Sequence, residues 1–317
     1  MYAALALVLA TMGIFVLIGQ DDEEPEGDGS DDEIRGTFGD DLLTGTEGDD
    51  VIFGWLGDDT IDGLDGDDEI RPGEGDDTVY AGLGRAVIFG SPGEDELYGE
   101  VGNDTISGGA DNDYINGGYG SDELHGGAGN DTIFGGFDAR DVNGEIVPAL
   151  QSQDLIRGDD GDDTIYIWGG DGVARGNDGE DDLILVTGAA TLEAGAGIGD
   201  HFYVLANVTD DQMTEATIED FDPSRDTLTL TMDYVPDGGT PPDVDVTMTE
   251  TSINGVNGVL VEAVYVGPGD IPAESEGAVA FLQGLTVDAL SAANIDVQVT
   301  DQADLFDPVS TMAALVV

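Results

Sequence analysis

The chain of 317 residues sets 70 Asp and Glu against 7 Lys and Arg, a formal net charge of −63, with 50 glycines and no cysteine. A polyanion repels phosphate backbones and anionic lipid, so nucleic-acid binding and docking through basic patches are excluded. Without cysteine there are no disulfides, thiolate metal sites or cysteine nucleophiles. A charge excess of this size ordinarily keeps a chain unfolded, so folding requires a neutraliser, and a divalent cation is the simplest one.

The first twenty residues, MYAALALVLATMGIFVLIGQ, hold no charge. At ~1.5 Å per helical residue they reach about 30 Å, one bilayer core. Residues 1–19 therefore read as an apolar helix, either an uncleaved membrane anchor or an atypical signal segment, since a basic n-region and an A-x-A-like cleavage site are missing. Residues 20–33 follow as an acidic, self-repelling linker containing DDEEPEGDGSDDE.

From Gly36 the chain falls into a period of nine: GTFGDDLLT, GTEGDDVIF, GWLGDDTID, GLDGDDEIR, PGEGDDTVY, AGLGRAVIF, GSPGEDELY, GEVGNDTIS, GGADNDYIN, GGYGSDELH and GGAGNDTIF, ending at Phe134. Position four is Gly in all units except at Asp111, and position six is Asp in all except at Ala86. Position eight is always Leu, Ile or Val. Glycines at positions one, two and four permit positive φ and close backbone approach, so the first six residues form a turn and the last three a short strand. Alternation points only position eight inward, starting Leu43, Ile52, Ile61, Ile70, Val79 and Ile88. One unit buries a single aliphatic side chain and cannot fold alone, whereas stacked units bury a continuous column. The position-six Asp ends each turn where loop carbonyls are also exposed. An all-oxygen donor set selects a hard cation, calcium ahead of magnesium because the ligands are many and flexible.

The pattern G-G-x-G-x-D-x-U-x resembles the RTX, or hemolysin-type, calcium-binding nonapeptide repeat of secreted bacterial proteins. The resemblance implies an all-β fold, a parallel β-roll with two repeats per turn and several Ca2+ ions between loops stacked on one edge, ligands lying 18 residues apart. One edge would carry Asp41, Asp59, Asp77, Asp95, Asp113 and Asp131. The other would carry Asp50, Asp68, Asp104 and Asp122, with a gap at Ala86.

Beyond Phe134 the phase breaks. The next position-six Asp is due at 140 but stands at Asp154, so a loop of roughly fourteen residues is inserted near 138–153. Asp163 and Asp181 belong to restored units, while Gly172 replaces the acid between them. The roll is expected over 34–199, closing at AGAGIGDHFYV. Residues 200–317 read as a smaller, mostly-β C-terminal domain, with alternating segments such as DTLTLTM and GVLVEAVYV, an AVAFLQGL…DALSAANI stretch that suits one short helix or a strand and helix, and an apolar AALVV terminus resembling a type I secretion end.

Catalytic signatures are lacking. H-E-x-x-H and G-x-S-x-G do not occur, and GAGIG at 195–199 has no βαβ context. His125 and His201 are isolated and read as surface residues. The Asp pairs recur with the repeat, which suits a ligand array better than glycosidase chemistry. Outward position nine on one face runs Thr44, Asp62, Tyr80, Tyr98, Asn116, Phe134, placing the two tyrosines about 4.8 Å apart on adjacent turns. They read as a stacked ladder or as a small sugar-contacting strip. The expectation is an extracytoplasmic or cell-surface calcium-binding protein with a structural or interaction role, not an enzyme. Its alternatives are a calcium-dependent adhesin with a cell-surface or glycan partner, or a secreted enzyme with its chemistry in residues 200–317. Membrane contact is expected only through residues 1–19.

Overall fold

The computed structural model describes residues 33–136, 152–197, 199–206, 214–234, 243–266, 278–290 and 295–301. The apolar segment expected as a helix at 1–19, the linker up to residue 32, residues 137–151 of the insert and the AALVV terminus lie outside the described residues. Among the described residues no helix is long and apolar enough to cross a membrane. Helix there amounts to one 3-10 turn, Val287–Ala289.

Because each nonapeptide has one inward side chain, its strand is stable only against the next turn. Glu33–Arg35 pairs in parallel with Val51–Leu56, and Leu42–Thr44 with Thr60–Asp62, so alternate repeats build two parallel sheets. The step is 18 residues per turn. Across the insert Glu123 lies opposite Leu155 and Thr132 opposite Thr164, so the register survives. There the step becomes 32, which is 18 plus the fourteen inserted residues. The result is a parallel β-solenoid of about eight turns.

Position eight fills the space between the sheets. Leu43 is 2% exposed, and Ile52, Ile61, Ile70, Val79 and Ile88 are fully buried. At ~25 cal/mol per Å2 of apolar surface removed from water, this column supplies the hydrophobic part of the stacking energy. The two sheets differ: strands of three residues, such as Thr78–Tyr80, alternate with strands of six, such as Glu69–Glu74. On one edge of the roll the ladder therefore continues into the loop, where Trp55 pairs with Gly73 and Leu56 with Glu74. On the other edge only single bridges join Asp65, Leu83, Val101 and Tyr119.

The degenerate units behave differently. Thr164–Asp178 and Asp182–Gly195 are continuous strands of 15 and 14 residues, running through Gly172 and Ala190 where the acid is missing. There the backbone stays extended and pairs strand to strand, whereas the loop at Ala86, which also lacks the acid, keeps its place in the stack. Beyond residue 200 the sheets extend in parallel. His201–Ala206 and Thr214–Ile218 both pair with Asp182–Gly195, and Thr227–Tyr234 stacks on the first of them. The antiparallel hairpin Asp243–Ile253 and Val256–Val266 turns at Asn254 and Gly255, both at positive φ, and joins the sheet through Ala278–Gln283. In the stretch expected as one short helix or as a strand and helix, Ala278–Gln283 is a strand followed by the 3-10 turn.

Candidate metal centre

The position-six aspartates form two columns, one along each edge. On the first, the backbone N–H of Asp41 donates to Oδ1 of Asp59, Asp59 to Asp77, Asp77 to Asp95, Asp95 to Asp113, and Asp113 to Asp131, at 2.7–2.9 Å. The column continues across the insert through Asp163 to Asp181. On the second edge Asp50 donates to Asp68, Asp104 to Asp122, and Asp122 to Asp154. All thirteen sequence-predicted ligand positions, Asp41, Asp50, Asp59, Asp68, Asp77, Asp95, Asp104, Asp113, Asp122, Asp131, Asp154, Asp163 and Asp181, are buried. The structure brings them into these two columns, not into one cluster.

The second carboxylate oxygen separates interior from terminal members. Oδ2 of Asp59, Asp77, Asp95, Asp113, Asp131, Asp163 and Asp181 on the first edge, and of Asp68, Asp104 and Asp122 on the second, is buried without a hydrogen bond. At the N-terminal end the oxygen is satisfied. Asp41 Oδ2 accepts from the Thr37 N–H at 2.5 Å and its hydroxyl at 2.9 Å, and Asp50 Oδ2 accepts from the Thr46 N–H at 2.6 Å.

An ionised carboxylate held this way costs several kcal/mol unless a counter-charge is present. Burial accordingly pushes the acids up: Asp59, Asp68, Asp95, Asp122 and Asp131 to about 6, Asp77, Asp104, Asp163 and Asp181 to about 7, and Asp113 to about 8. In each the hydrogen bond from the previous turn's N–H opposes the rise. Neighbouring acids add to it in most of them, as Asp95, Asp131 and Asp111 do at Asp113.

The loop is built to make this room. At position two the backbone takes positive φ, at Gly73 and Gly82 but also at Trp55, Leu64, Ser91 and Glu100. Position one serves space instead of φ. A Cβ added to Gly99 would lie 2.5 Å from both Asp104 Oδ2 and the Gly117 carbonyl, and one added to Gly36 would lie 2.6 Å from the Gly54 carbonyl and 2.8 Å from Asp41 Oδ2. The glycine thus opens a small cradle where a carboxylate oxygen and the next turn's carbonyl approach one another. Position five runs the opposite way: the N–H groups of Asp58, Asp67, Asp76 and Glu94 donate to Oδ1 of Asp40, Asp49, Asp58 and Asp76 on the turn before. Orphaned buried carboxylate oxygens, adjacent carbonyls and no nitrogen or sulfur donor fit a hard divalent cation such as calcium.

Two residues escaped the sequence reading. Asp200 and Asp226 are buried and extend the first column, Asp181 donating to Asp200 and Asp200 to Asp226. Their steps of 19 and 26 residues break the nine-residue phase. The signal that could have found them is a glycine-rich or turn-forming run ending in Asp, AGAGIGD and DFDPSRD. The histidines are half-buried beside single acids of the sheet faces: His125 lies 3.3 Å from Asp159 and 3.4 Å from Glu123, and His201 lies 2.9 Å from Asp182. Among the described residues no three or more acid or histidine side chains converge on a single metal position.

Two parallel sheets wound at 18 residues per turn, with a column of buried acids on each edge, define a β-roll of the calcium-binding kind. A family model of the RTX calcium-binding nonapeptide repeat matches in four copies, at residues 26–61, 56–88, 80–115 and 107–140. The four matches together span residues 26–140 and take in the nonapeptides of 36–134. Among solved structures, the chain is similar to a subunit of the mannuronan C5-epimerase from Azotobacter vinelandii at 21% identity, covering 70% of this chain and 78% of that one with a TM-score of 0.14. It is also similar to the extracellular lipase of Serratia marcescens at 14% identity, covering 83% of this chain and 42% of that one with a TM-score of 0.21. No curated protein matches.

Proposed function

We propose that this protein works outside the cytoplasm as a calcium-binding scaffold that folds on binding Ca2+, in a structural or interaction role and not a catalytic one. The observation that carries this reading is the set of buried aspartate Oδ2 atoms without hydrogen bonds, all but that of Asp77 beside a glycine cradle. In this reading the interior aspartates of both columns contribute one carboxylate at a time and loop carbonyls supply the remaining oxygens. Residues 1–19 anchor or export the chain, 20–33 link it, 34–199 bind the ions, and 200–317 close the roll.

The physics is a linkage. A site at tenfold excess of calcium over its Kd adds about 1.4 kcal/mol to the folded state, and several such sites match the whole stability of an ordinary domain. Low calcium inside the cell would keep the chain unfolded for export, and binding outside would drive folding. Circular dichroism of the full chain at pH 7.5 tests this. Little β structure is expected in chelator and a cooperative gain on adding calcium, with magnesium much less effective because it demands tight octahedral geometry. Equal β content with and without chelator would sink the reading.

The adhesin alternative rests on the tyrosines, and their geometry supports the structural role instead. Tyr80 and Tyr98 stack with centroids 5.0 Å apart and planes 9° from parallel. Rings that spend their faces on one another offer edges to solvent, whereas sugar stacking needs an open face.

A further inference from the structure

The first aspartate column outlasts the nine-residue phase, and it ends in a way its interior does not. At Asp226 both carboxylate oxygens are tied: Oδ1 to the N–H of Asp200 at 3.3 Å and Oδ2 to the N–H of Asp222 at 2.6 Å. Immediately before it, where the other loops carry their position-five residue, stands Arg225. Its Nη1 donates to the Gly197 carbonyl of the preceding turn at 2.9 Å, and its Nε donates to Asp222 at 2.8 Å. Gly197, three residues before Asp200, stacks on the position-four Gly179: a Cβ added there would meet the Gly179 carbonyl and lie 2.9 Å from Asp200 Oδ1. A full positive charge therefore grips a loop carbonyl between the last two members of the column.

A second arginine takes the same position in its loop. Arg85 occupies position five before Ala86, where the second column loses its acid, and its Nη2 reaches Asp67 Oδ2 of the preceding turn at 3.3 Å. The other described arginines, Arg35, Arg71, Arg157 and Arg175, lie in strands on a sheet face, away from the loops. The later breaks at Gly172 and Ala190 have no such arginine, and there the loop has become strand.

We propose that Arg225 is a resident cation that terminates the first calcium column, its guanidinium serving in the Asp200–Asp226 interval as the metal serves in the intervals before it. The last calcium site then lies between the loops of Asp181 and Asp200, where Asp181 Oδ2 is buried without a hydrogen bond. A guanidinium suits this place because it is always charged and its planar fork satisfies a carbonyl and a carboxylate together. The roll thereby gains an end that is neutralised at any calcium concentration, a starting point from which folding can propagate as ions arrive. This inference rests on the calcium reading above.

The test is calcium stoichiometry by titration calorimetry and native mass spectrometry, with thermal melts in chelator and in saturating calcium, on the full chain and the variants Arg225→Gln, Arg225→Lys and Asp222→Asn. Arg225→Gln should bind one more calcium ion than the parent. Its melting temperature should fall by several degrees in chelator and recover in saturating calcium, because the ion takes over the vacated role. Arg225→Lys should keep the parental count, and Asp222→Asn, which loosens the guanidinium without removing its charge, should keep that count too while lowering the melting temperature in chelator. If Arg225→Gln does not fold in chelator, the count of its calcium-folded form decides alone; if it folds in neither condition, a Lys variant with the parental count and melt supports the proposal. A Gln variant with an unchanged count, or equal melting losses in both conditions, makes Arg225 an ordinary ion-pair partner and overturns the proposal, as does a Lys variant as damaged as Gln. A parent chain that binds no calcium fails the broader reading as well, which a parent that binds with an unmoved variant does not.

Discussion

An interior aspartate at position six, such as Asp95 or Asp104, is held by one oxygen and left open at the other, and position one decides whether the open oxygen has room. The one repeat within 36–134 that lacks the acid also lacks the glycine: Ala86 is paired with Ala81 at position one, and both are buried. Pro72, before Asp77, is the other departure from glycine in that run, so a Cβ is tolerated but is not the rule. The Ala86 N–H still donates to Asp104 Oδ1 at 2.8 Å, so the loop keeps its place in the stack. Ala81→Gly with Ala86→Asp should add one or two calcium ions, in the intervals towards Asp68 and Asp104, and should raise the melting temperature in calcium. In chelator it should lower it, since another charge joins a repelling column. Ala86→Asp alone should do the same more weakly. An unchanged ion count in a folded double variant, read by calorimetry, would show that the 18-residue edge pairing does not bind metal.

Strands stacked in exact register turn any repeated residue type into a ladder, and the two faces use this differently. On one, Tyr80, Tyr98, Tyr114, Phe134 and Tyr166 are in ring contact, with centroids 5.0, 5.6, 5.4 and 4.5 Å apart. Position nine of one unit is Asn116, and the ladder survives because Tyr114 at position seven fills the step. On the other face Arg35 and Arg71 flank Phe53, with guanidinium carbons 6.0 and 5.8 Å from the ring centre, and Arg71 also lies 5.4 Å from that of Phe89. These contacts join turns without calcium. Tyr98→Ala should destabilise the calcium-loaded protein by about 2 kcal/mol, from lost half-buried area and two ring contacts, while Tyr98→Phe should be nearly neutral. Melts in saturating calcium measure this, and for a chain of this size the loss amounts to roughly 2–4 °C per kcal/mol. Loss of binding on a glycan array by Tyr80→Ala and Tyr98→Ala variants that melt like the parent would instead favour the adhesin alternative.

At the scale of the molecule, −63 is a burden that calcium and protons can each relieve. Burial raises the interior aspartates to between about 6 and about 8, with Asp113 highest. An acid whose folded pKa lies above its unfolded value of about 3.9 contributes its full stability below the latter and loses it as pH rises through the former. The metal-free roll should therefore gain β structure in chelator as pH falls from 8 to 5 and lose it in the reverse direction. With calcium the dependence should invert over the same window, because protons and metal compete for the same oxygens. Circular dichroism in chelator that stays flat across this range would contradict the burial of these carboxylates.

The period of nine marked the inward column and the position-six aspartates, because a one-dimensional stack repeats every contact with the chain's own period, while the parallel roll with two repeats per turn came from the resemblance to the RTX repeat. The count from Asp131 to Asp154 likewise located the insert, and the register either side of it agrees. What the period could not carry is whatever leaves the phase. Asp200, Asp226 and Arg225 meet only after loops of irregular length, so their adjacency is a property of the folded stack. Nor does spacing alone distinguish Asp41 and Asp50, whose oxygens Thr37 and Thr46 satisfy, from the interior aspartates with an oxygen left open. All of them occupy position six; Asp41 and Asp50 meet donors of their own loop, Thr37 and Thr46 at position two, and only the folded loop shows that the interior carboxylates keep one buried oxygen without such a donor.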